Sequence, residues 1–247
     1  MFNHVGMPRE LPPLKSIQHE GKRFYLTPDG GIFPSMTTVL GELSKESIME
    51  WRKRVGEAEA NRISTQAARR GTNVHLMCED YINNHDFYAK RRMPNEIEMF
   101  NSIKPILDER ITDVVAQEVA MWSNYLSLAG RVDCIAKFDG KLSIIDFKTS
   151  AKPKKEEWIT NYFMQEAGYA IMYEELTGQP ITQLVTIIAV SGDEGVKEPQ
   201  VFIEHRDNWA KGLVDAVKSY KEKYDYDQVA ESIRHKFDDV VPGAIAV

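Results

Sequence analysis

The chain has 247 residues, of which 43% are hydrophobic and 28% are charged, as is typical of one globular domain. Its 31 basic and 37 acidic residues leave a net charge of −6, which excludes an overall basic field that would coat nucleic acid nonspecifically. The two cysteines, Cys78 and Cys134, are too few to hold an iron–sulfur cluster or a structural zinc.

The first part of the chain, residues 1–112, is predicted to be mainly helical after a short hairpin. The hairpin and three helices are expected over residues 16–26, 35–43, 47–84 and 94–110. Ser35 is a candidate N-cap, Gly56 and Gly71 are candidate breaks, and Pro105 is expected to kink the last of these helices.

Residues 113–206 are predicted to form a sheet, because the residue pattern changes here to short runs that are typical of β-strands. Strands are expected over residues 114–122, 126–138, 141–149, 183–190 and 201–204. A lysine-rich loop over 152–156 and a helix over 159–176, closed by Gly178, separate the third strand from the fourth.

The C-terminal part, residues 207–247, is predicted to be helical. Asp207 is expected to cap a helix that ends at Tyr224, and a last short helix precedes Pro242. The order of elements predicts one α/β domain over residues 1–247, with a mixed central sheet flanked by helices.

The dipeptide Asp139-Gly140 lies between two strand-like runs and is a strong signal for a two-residue hairpin loop. Such a loop places Asp133 opposite Asp146 on the ladder, with Lys148 on the same face. Opposed side chains have Cβ atoms only about 5 Å apart, and like charges there are destabilising. Two interpretations stay open at this point. Either a divalent cation lies between the carboxylates, or one aspartate pairs with Lys148 while the other reaches solvent.

A metal at this hairpin would suit the residues around it. Carboxylates and carbonyls are ligands of Mg²⁺ and Mn²⁺, and the backbone carbonyl of Phe147 lies between the acidic and the basic side chain. A bound metal lowers the pKa of a water and stabilises charge that develops on a phosphate. Lys148 could then hold or deprotonate that water, or donate a hydrogen bond to the phosphate.

Several motifs occur together in a recognisable order. They are His75 in a predicted helix, Glu118, the segments Gly130–Asp133 and Asp146–Thr149, and the helical pair Gln165 and Tyr169. This set resembles the active-site core of PD-(D/E)XK nucleases of the RecB-like branch, over about residues 34–178. Within that branch the likeness is to exonucleases that maintain mitochondrial genomes and to related phage and bacterial exonucleases.

The resemblance implies a restriction-endonuclease-like core with the N-terminal helical region over the active site. It also implies that His75, Asp133 and Asp146 bind Mg²⁺ or Mn²⁺, that Lys148 is the catalytic lysine, and that Glu118 is a further acidic ligand with a catalytic role. Without the other motifs, His75 would be interpreted as an ordinary helix histidine.

The same resemblance and the local basic clusters suggest residues that contact DNA. These candidates are Arg69, Arg70, Thr149, Lys152, Lys154, Lys155, Trp158, Gln165 and Tyr169. Solvated helix faces would explain each basic cluster equally well, and Tyr169 could instead pack in the core with Gln165 at its edge. Trp158, beside the lysine-rich loop, is the best candidate to stack on an unpaired base.

The sequence therefore predicts a metal-dependent DNA exonuclease that acts on single-stranded ends or flaps, with an inclination toward 5′ ends implied by the resemblance. Three alternatives stay open: a structure-specific or restriction-like endonuclease, an inactive DNA-binding recombination accessory protein, and an enzyme with a substrate other than nucleic acid. Replication or recombination proteins are candidate partners. The sequence also predicts an intracellular, cytoplasmic protein, because no membrane span and no signal peptide are expected from it. A phage-encoded protein that acts in a host cell would fit the same expectation.

Overall fold

The computed structural model describes residues 1–192 and 195–236. Its strands are β1 (Lys15–His19), β2 (Lys22–Leu26), β3 (Ile32–Pro34), β4 (Ile111–Ser123), β5 (Leu128–Phe138), β6 (Lys141–Ser150), β7 (Gln183–Val190) and β8 (Lys197–His205). Its α-helices are α1 (Met36–Gly41), α2 (Lys45–Val55), α3 (Glu57–Ile82), α4 (Pro94–Arg110), α5 (Thr160–Thr177), α6 (Arg206–Tyr224) and α7 (Tyr226–Lys236).

The central sheet has five strands in the order β4-β5-β6-β7-β8. Neighbouring strands are antiparallel except β6 and β7, which are parallel. A parallel pair needs a long crossover, and α5 supplies it between these two strands. The predicted mixed α/β sheet with flanking helices is confirmed.

Helices cover both faces of this sheet, so the central strands are apolar on each side. One buried cluster joins the sheet to α1, α5 and α6, and includes Ile135, Ile144 and Tyr169. The other joins it to α3 and α4, and includes Met77 and Phe147. Because α3 and α5 lie on opposite faces, side chains from both helices can reach the same end of β5 and β6.

A second, smaller sheet of β1, β2 and β3 precedes α1, so the N-terminal part is not purely helical. Ser35, directly after β3, forms an isolated bridge with Ala129 of β5. The Ser35 side chain also accepts a hydrogen bond from the backbone N–H of Thr38, as predicted for the N-cap of α1. This junction places the small sheet and α1 beside the N-terminal end of β5.

Three local predictions were wrong. Gly71 does not break α3, which continues through it to Ile82. The last strand begins at Lys197 and not at Val201, because Pro199 is tolerated on β8, an edge strand of this sheet. The cap of α6 is His205, since β8 runs directly into that helix and leaves no separate turn at Asp207.

The helix ends predicted at Gly56 and Gly178 agree with the structure. Gly56 separates α2 from α3, and Gly178 closes α5 in a left-handed conformation. Pro105 lies inside α4, and the kink expected there stays a prediction. The predicted last helix is α7, while Pro242 lies outside the described residues. In the described part of the chain, none of the helices has the length and apolar character required to span a membrane.

Candidate active site

Three carboxylates lie in one row across neighbouring strands of the central sheet. The β5–β6 ladder has the register predicted from the hairpin loop, and its continuation places Asp133 opposite Asp146. In the β4–β5 ladder, the pairs on either side of Asp133 place Glu118 opposite it on the other strand. Like charges at opposed positions destabilise a sheet, so this row favours a cation among the carboxylates.

The main-chain pairing between β5 and β6 ends next to the row of carboxylates, at the pair Cys134 and Ile145. The Oδ2 atom of Asp133 accepts a hydrogen bond of 2.9 Å from the backbone N–H of Phe147, in place of a main-chain partner. Gly130 lies three residues before Asp133, and a Cβ there would lie 2.7 Å from a ring carbon of Tyr169. An aromatic ring of α5 therefore approaches Gly130 closely and supports the strand beneath the site.

Helix α3 brings His75 onto the same row. Its Nε2 atom lies 3.0 Å from Oδ2 of Asp133 and also contacts the backbone oxygen of Phe147. Both partners are acceptors, so Nε2 carries a proton in this arrangement. Burial disfavours the imidazolium, but the facing charge of Asp133 outweighs this and raises the pKa of His75 to about 9.

The donor atoms of His75, Glu118 and Asp133 all lie within 4.8 Å of one another, a spacing that one metal ion could bridge. Burial, together with the charges of Asp133 and Glu79, raises the pKa of Glu118 to about 7. A cation at this position would relieve the repulsion that causes this shift. One imidazole with carboxylates and the Phe147 carbonyl suits a hard divalent ion, and these residues therefore fit a metal.

Asp146 and Lys148 form the second half of the site. The Lys148 ammonium contacts one oxygen of Asp146, and the Gln165 amide donates a hydrogen bond of 3.1 Å to the other. Burial raises the pKa of Asp146 to about 6. Burial alone would lower the pKa of Lys148, but the charges of Asp146 and Asp133 outweigh it and raise that pKa, so Lys148 stays an ammonium.

A pocket of about 360 Å³ gives access to these groups. Its walls include His75, Asp133, Lys148, Gln165 and Tyr169, which α3, β5, β6 and α5 bring together. Asp146 and Glu118 lie beside this pocket and not on its walls. Tyr169 is only 2% exposed, so its ring packs beneath the site while its edge reaches the pocket.

The other predicted DNA contacts lie outside this pocket. Thr149 faces α3, since its Oγ1 lies 3.6 Å from the position of a Cβ on Gly71. Arg69 is exposed on α3, and the half-buried Arg70 beside it has an Nε atom with no hydrogen-bond partner among the described residues.

The lysine-rich loop is also separate from the pocket walls. Lys152 is exposed, and the main chain of Lys154 exchanges two hydrogen bonds with the side chain of Gln200. The ammonium of Lys155 lies 5.2 Å from the ring centroid of Trp158, whose side chain is 61% exposed. The indole thus remains accessible in the position predicted for stacking on a base.

Sequence reasoning missed several residues of the pocket. Arg23, Ser35 and Thr37 line it because the small sheet and α1 pack against β5. Arg131 also lines it, and its guanidinium lies 3.9 Å from a carboxylate oxygen of Glu118. Ser35 gave a signal only as a helix cap, and Arg23 gave none, since a contact between distant segments leaves no local pattern.

The chain belongs to the PD-(D/E)XK nuclease superfamily, whose family model matches residues 39–244. This match confirms the resemblance inferred from the motifs and identifies the central sheet as a restriction-endonuclease-like core. Nucleases of this superfamily use divalent metal ions, in agreement with the acidic cluster around His75.

Among curated relatives, this chain is similar to mitochondrial genome maintenance exonuclease 1 of Homo sapiens and of Xenopus tropicalis, at 29% identity in each case. Each match covers 50% of this chain and 38% of the relative, so the chain spans well under half the aligned proteins' length. A crystal structure described as a candidate exonuclease from Eubacterium rectale covers 62% of this chain and 65% of that one, at 15% identity and a TM-score of 0.39. That score is too low to support an argument about function.

Proposed function

We propose that residues 1–247 form one nuclease domain that hydrolyses DNA phosphodiester bonds from single-stranded ends or flaps, using Mg²⁺ or Mn²⁺. The observation that supports this most directly is the row of Glu118, Asp133 and Asp146, with His75 at one side and Lys148 at the other. Superfamily membership and the exonuclease relatives support DNA as the substrate.

In this proposal His75, Glu118, Asp133, Asp146 and the Phe147 carbonyl hold the metal. When bound, the ion supplies an activated water and stabilises the charge that develops on the phosphate. Asp133 keeps its orientation because the Phe147 N–H fixes one of its oxygens.

Lys148 acts as a hydrogen-bond donor. Burial would lower the pKa of Lys148, but the charges of Asp146 and Asp133 outweigh it and raise that pKa, so the ammonium can hold the attacking water or a phosphate oxygen. Asp146 fixes the ammonium, and Gln165 fixes Asp146 in turn. The Lys148 ammonium is therefore preorganised before the substrate binds.

End preference and strand preference belong to the proposal as well. A single strand that enters the pocket would pass exposed Arg69 and half-buried Arg70 on α3, with Thr149 close to that helix. Beyond the site, we assign Lys152, Lys154, Lys155 and Trp158 to contacts with the strand, and Gln165 and Tyr169 to contacts beside the reacting phosphate. A 5′ inclination follows only from the likeness to the exonuclease relatives.

The test uses end-labelled linear and closed circular single-stranded DNA with Mn²⁺. We expect the wild-type protein to digest the linear form and leave the circle intact, and Lys148→Ala and Asp146→Asn to lose at least about 10²-fold in rate. Thermal melting of both variants should stay cooperative.

Lys141→Gln is the matched control, because it removes a positive charge at the hairpin end of β6, far from Lys148. Digestion of the circle would instead show an endonuclease. Wild-type rates for either site variant would contradict the site assignment.

A further inference from the structure

A second cavity, of about 480 Å³, lies next to the pocket that holds Lys148. Its walls come from the β1–β2 hairpin, α1 and α2. The two spaces share Arg23, Ser35 and Thr37 as lining residues, so one continuous surface leads from the reacting groups into the second cavity. None of the proposed metal ligands lines the second cavity, and neither does Lys148, so the proposed metal site gives this cavity no function.

Arg23 is the available cation at the junction of the two spaces. Its side chain is exposed, and no carboxylate among the described residues pairs with it. The other cations of the cavity have partners: Lys45 pairs with Glu42 at 3.2 Å, and the Lys22 ammonium lies 3.1 Å from the ring centroid of Tyr224. An unpaired guanidinium between two connected polar cavities suits a phosphate, which it can bind through two donors at once.

The remaining walls combine hydroxyl groups with apolar side chains. Thr37 is exposed at the junction, and its hydroxyl lies 3.1 Å from that of Ser35. Ile48 and Met49 of α2 also line the second cavity and are 48% and 50% exposed. Apolar side chains left in water beside a cation and a hydroxyl match a nucleotide, which presents an apolar base face and a charged phosphate.

We propose that the second cavity binds the nucleotide next to the scissile phosphate in an unpaired DNA strand. Arg23 and the Thr37 hydroxyl bind the adjoining phosphate, and Ile48 and Met49 contact the base. A base inside a duplex is stacked on its neighbours and cannot offer its face to α2, so this subsite selects unpaired DNA. The inference rests on the proposed nuclease function and deepens it by assigning residues to strand selection.

Binding is measured by fluorescence anisotropy with a short labelled oligothymidylate and the full chain carrying Lys148→Ala, which prevents cleavage. In that background Arg23→Gln should weaken binding by about tenfold. It should also reduce the slope of log affinity against log salt by about 0.7, the value for one phosphate contact to a single strand. Lys141→Gln removes the same charge at the distant hairpin and should leave both quantities unchanged.

Gly41 offers a second, independent set of variants. It lines the cavity, its backbone is helical, and a Cβ there would meet nothing within 4 Å, so larger residues should fold normally. Gly41→Lys should tighten binding of the oligothymidylate and Gly41→Glu should weaken it, while Gly41→Ala serves as the control. Binding by Arg23→Gln equal to that of the parent, or equal effects of lysine and glutamate at position 41, would overturn the subsite.

Failure of the subsite and failure of the proposed function give different results. If the wild-type chain cleaves DNA while Arg23→Gln binds and cleaves as the wild type does, the nuclease assignment stands and the subsite is wrong. If the wild-type chain cleaves nothing while Arg23→Gln loses oligothymidylate binding, the second cavity binds unpaired DNA and the nuclease assignment is wrong.

Discussion

Glu118 has a backbone conformation that is unusual inside a strand. Its φ is +49°, in the left-handed region, although neither it nor its neighbours are glycine. Such a conformation costs on the order of 1 kcal/mol or more for a residue with a side chain, and it persists only where surrounding structure imposes it. Here the carboxylate reaches Asp133 and His75, so backbone strain and charge repulsion both accumulate at the proposed metal site.

Gly130 is a position where the absence of a side chain has a measurable consequence. Gly130→Ala would place a methyl group 2.7 Å from a Tyr169 ring carbon, and that ring is buried and cannot move freely. We expect the free energy of unfolding to fall by about 1–3 kcal/mol, as is typical of overpacking. Chemical denaturation of the variant measures this change.

The control for this prediction is Gly41→Ala, where an added Cβ would have no close neighbour. It should be neutral or slightly stabilising, because alanine is favoured over glycine in a helical conformation. Equal stability of the two variants would contradict the packing role assigned to Tyr169.

The site residues differ in how far the sequence could predict them. The pairing of Asp133 with Asp146 was predictable because a two-residue loop at Asp139-Gly140 fixes the register of the whole hairpin. The position of Glu118 opposite Asp133 could not be predicted, because two irregularities in the β4–β5 ladder change which residues of the two strands are paired. Arg23 became visible only when the small sheet was placed against β5.

Among the elements, the prediction at Gly71 was wrong because packing outweighs local propensity. A glycine inside a helix costs about 1 kcal/mol relative to alanine, yet α3 continues through Gly71. The second half of α3 buries Val74, Met77, Cys78 and Ile82 against the sheet. This contact holds the helix together and carries His75 to the site.

The connection between the end of α1 and α6 depends on an anionic group. Glu42 contacts Lys45 and, at 3.0 Å, Lys223. Burial would raise the pKa of Glu42, but hydrogen bonds from Tyr224, Lys223 and Lys45 outweigh it and lower that pKa to about 2. Because the folded-state pKa lies below the usual 4.5, this group stabilises the fold above pH 4.5 and ceases to do so as the pH falls toward 2.

We therefore expect Glu42→Gln to lower the free energy of unfolding by about 1 kcal/mol at pH 7, with the difference from wild type shrinking below pH 4.5. Urea denaturation across this pH range measures the difference. Glu50→Gln removes an exposed carboxylate of α2 and is the control. A difference for Glu42→Gln that grew on acidification would contradict the assigned pairing.

In the whole molecule, the distribution of charge is more informative than its sum. The net charge is −6, yet Arg23, Lys148 and Arg131 line the site pocket. The helical region over the site is weakly anchored, because α2 buries no side chain and the first half of α3 buries only Ala60. This region is attached at both ends, through α1 and through the buried half of α3.

The proposed chemistry requires above all a metal held by the row of carboxylates and His75. Crystals of the protein soaked in Mn²⁺ and measured for anomalous scattering test this directly. We expect one strong peak within coordination distance of Asp133, with His75 or Glu118 as a second ligand and the Lys148 ammonium nearby. Saturating Mn²⁺ that gave no peak at Asp133, or only peaks elsewhere on the surface, would contradict the proposed metal site.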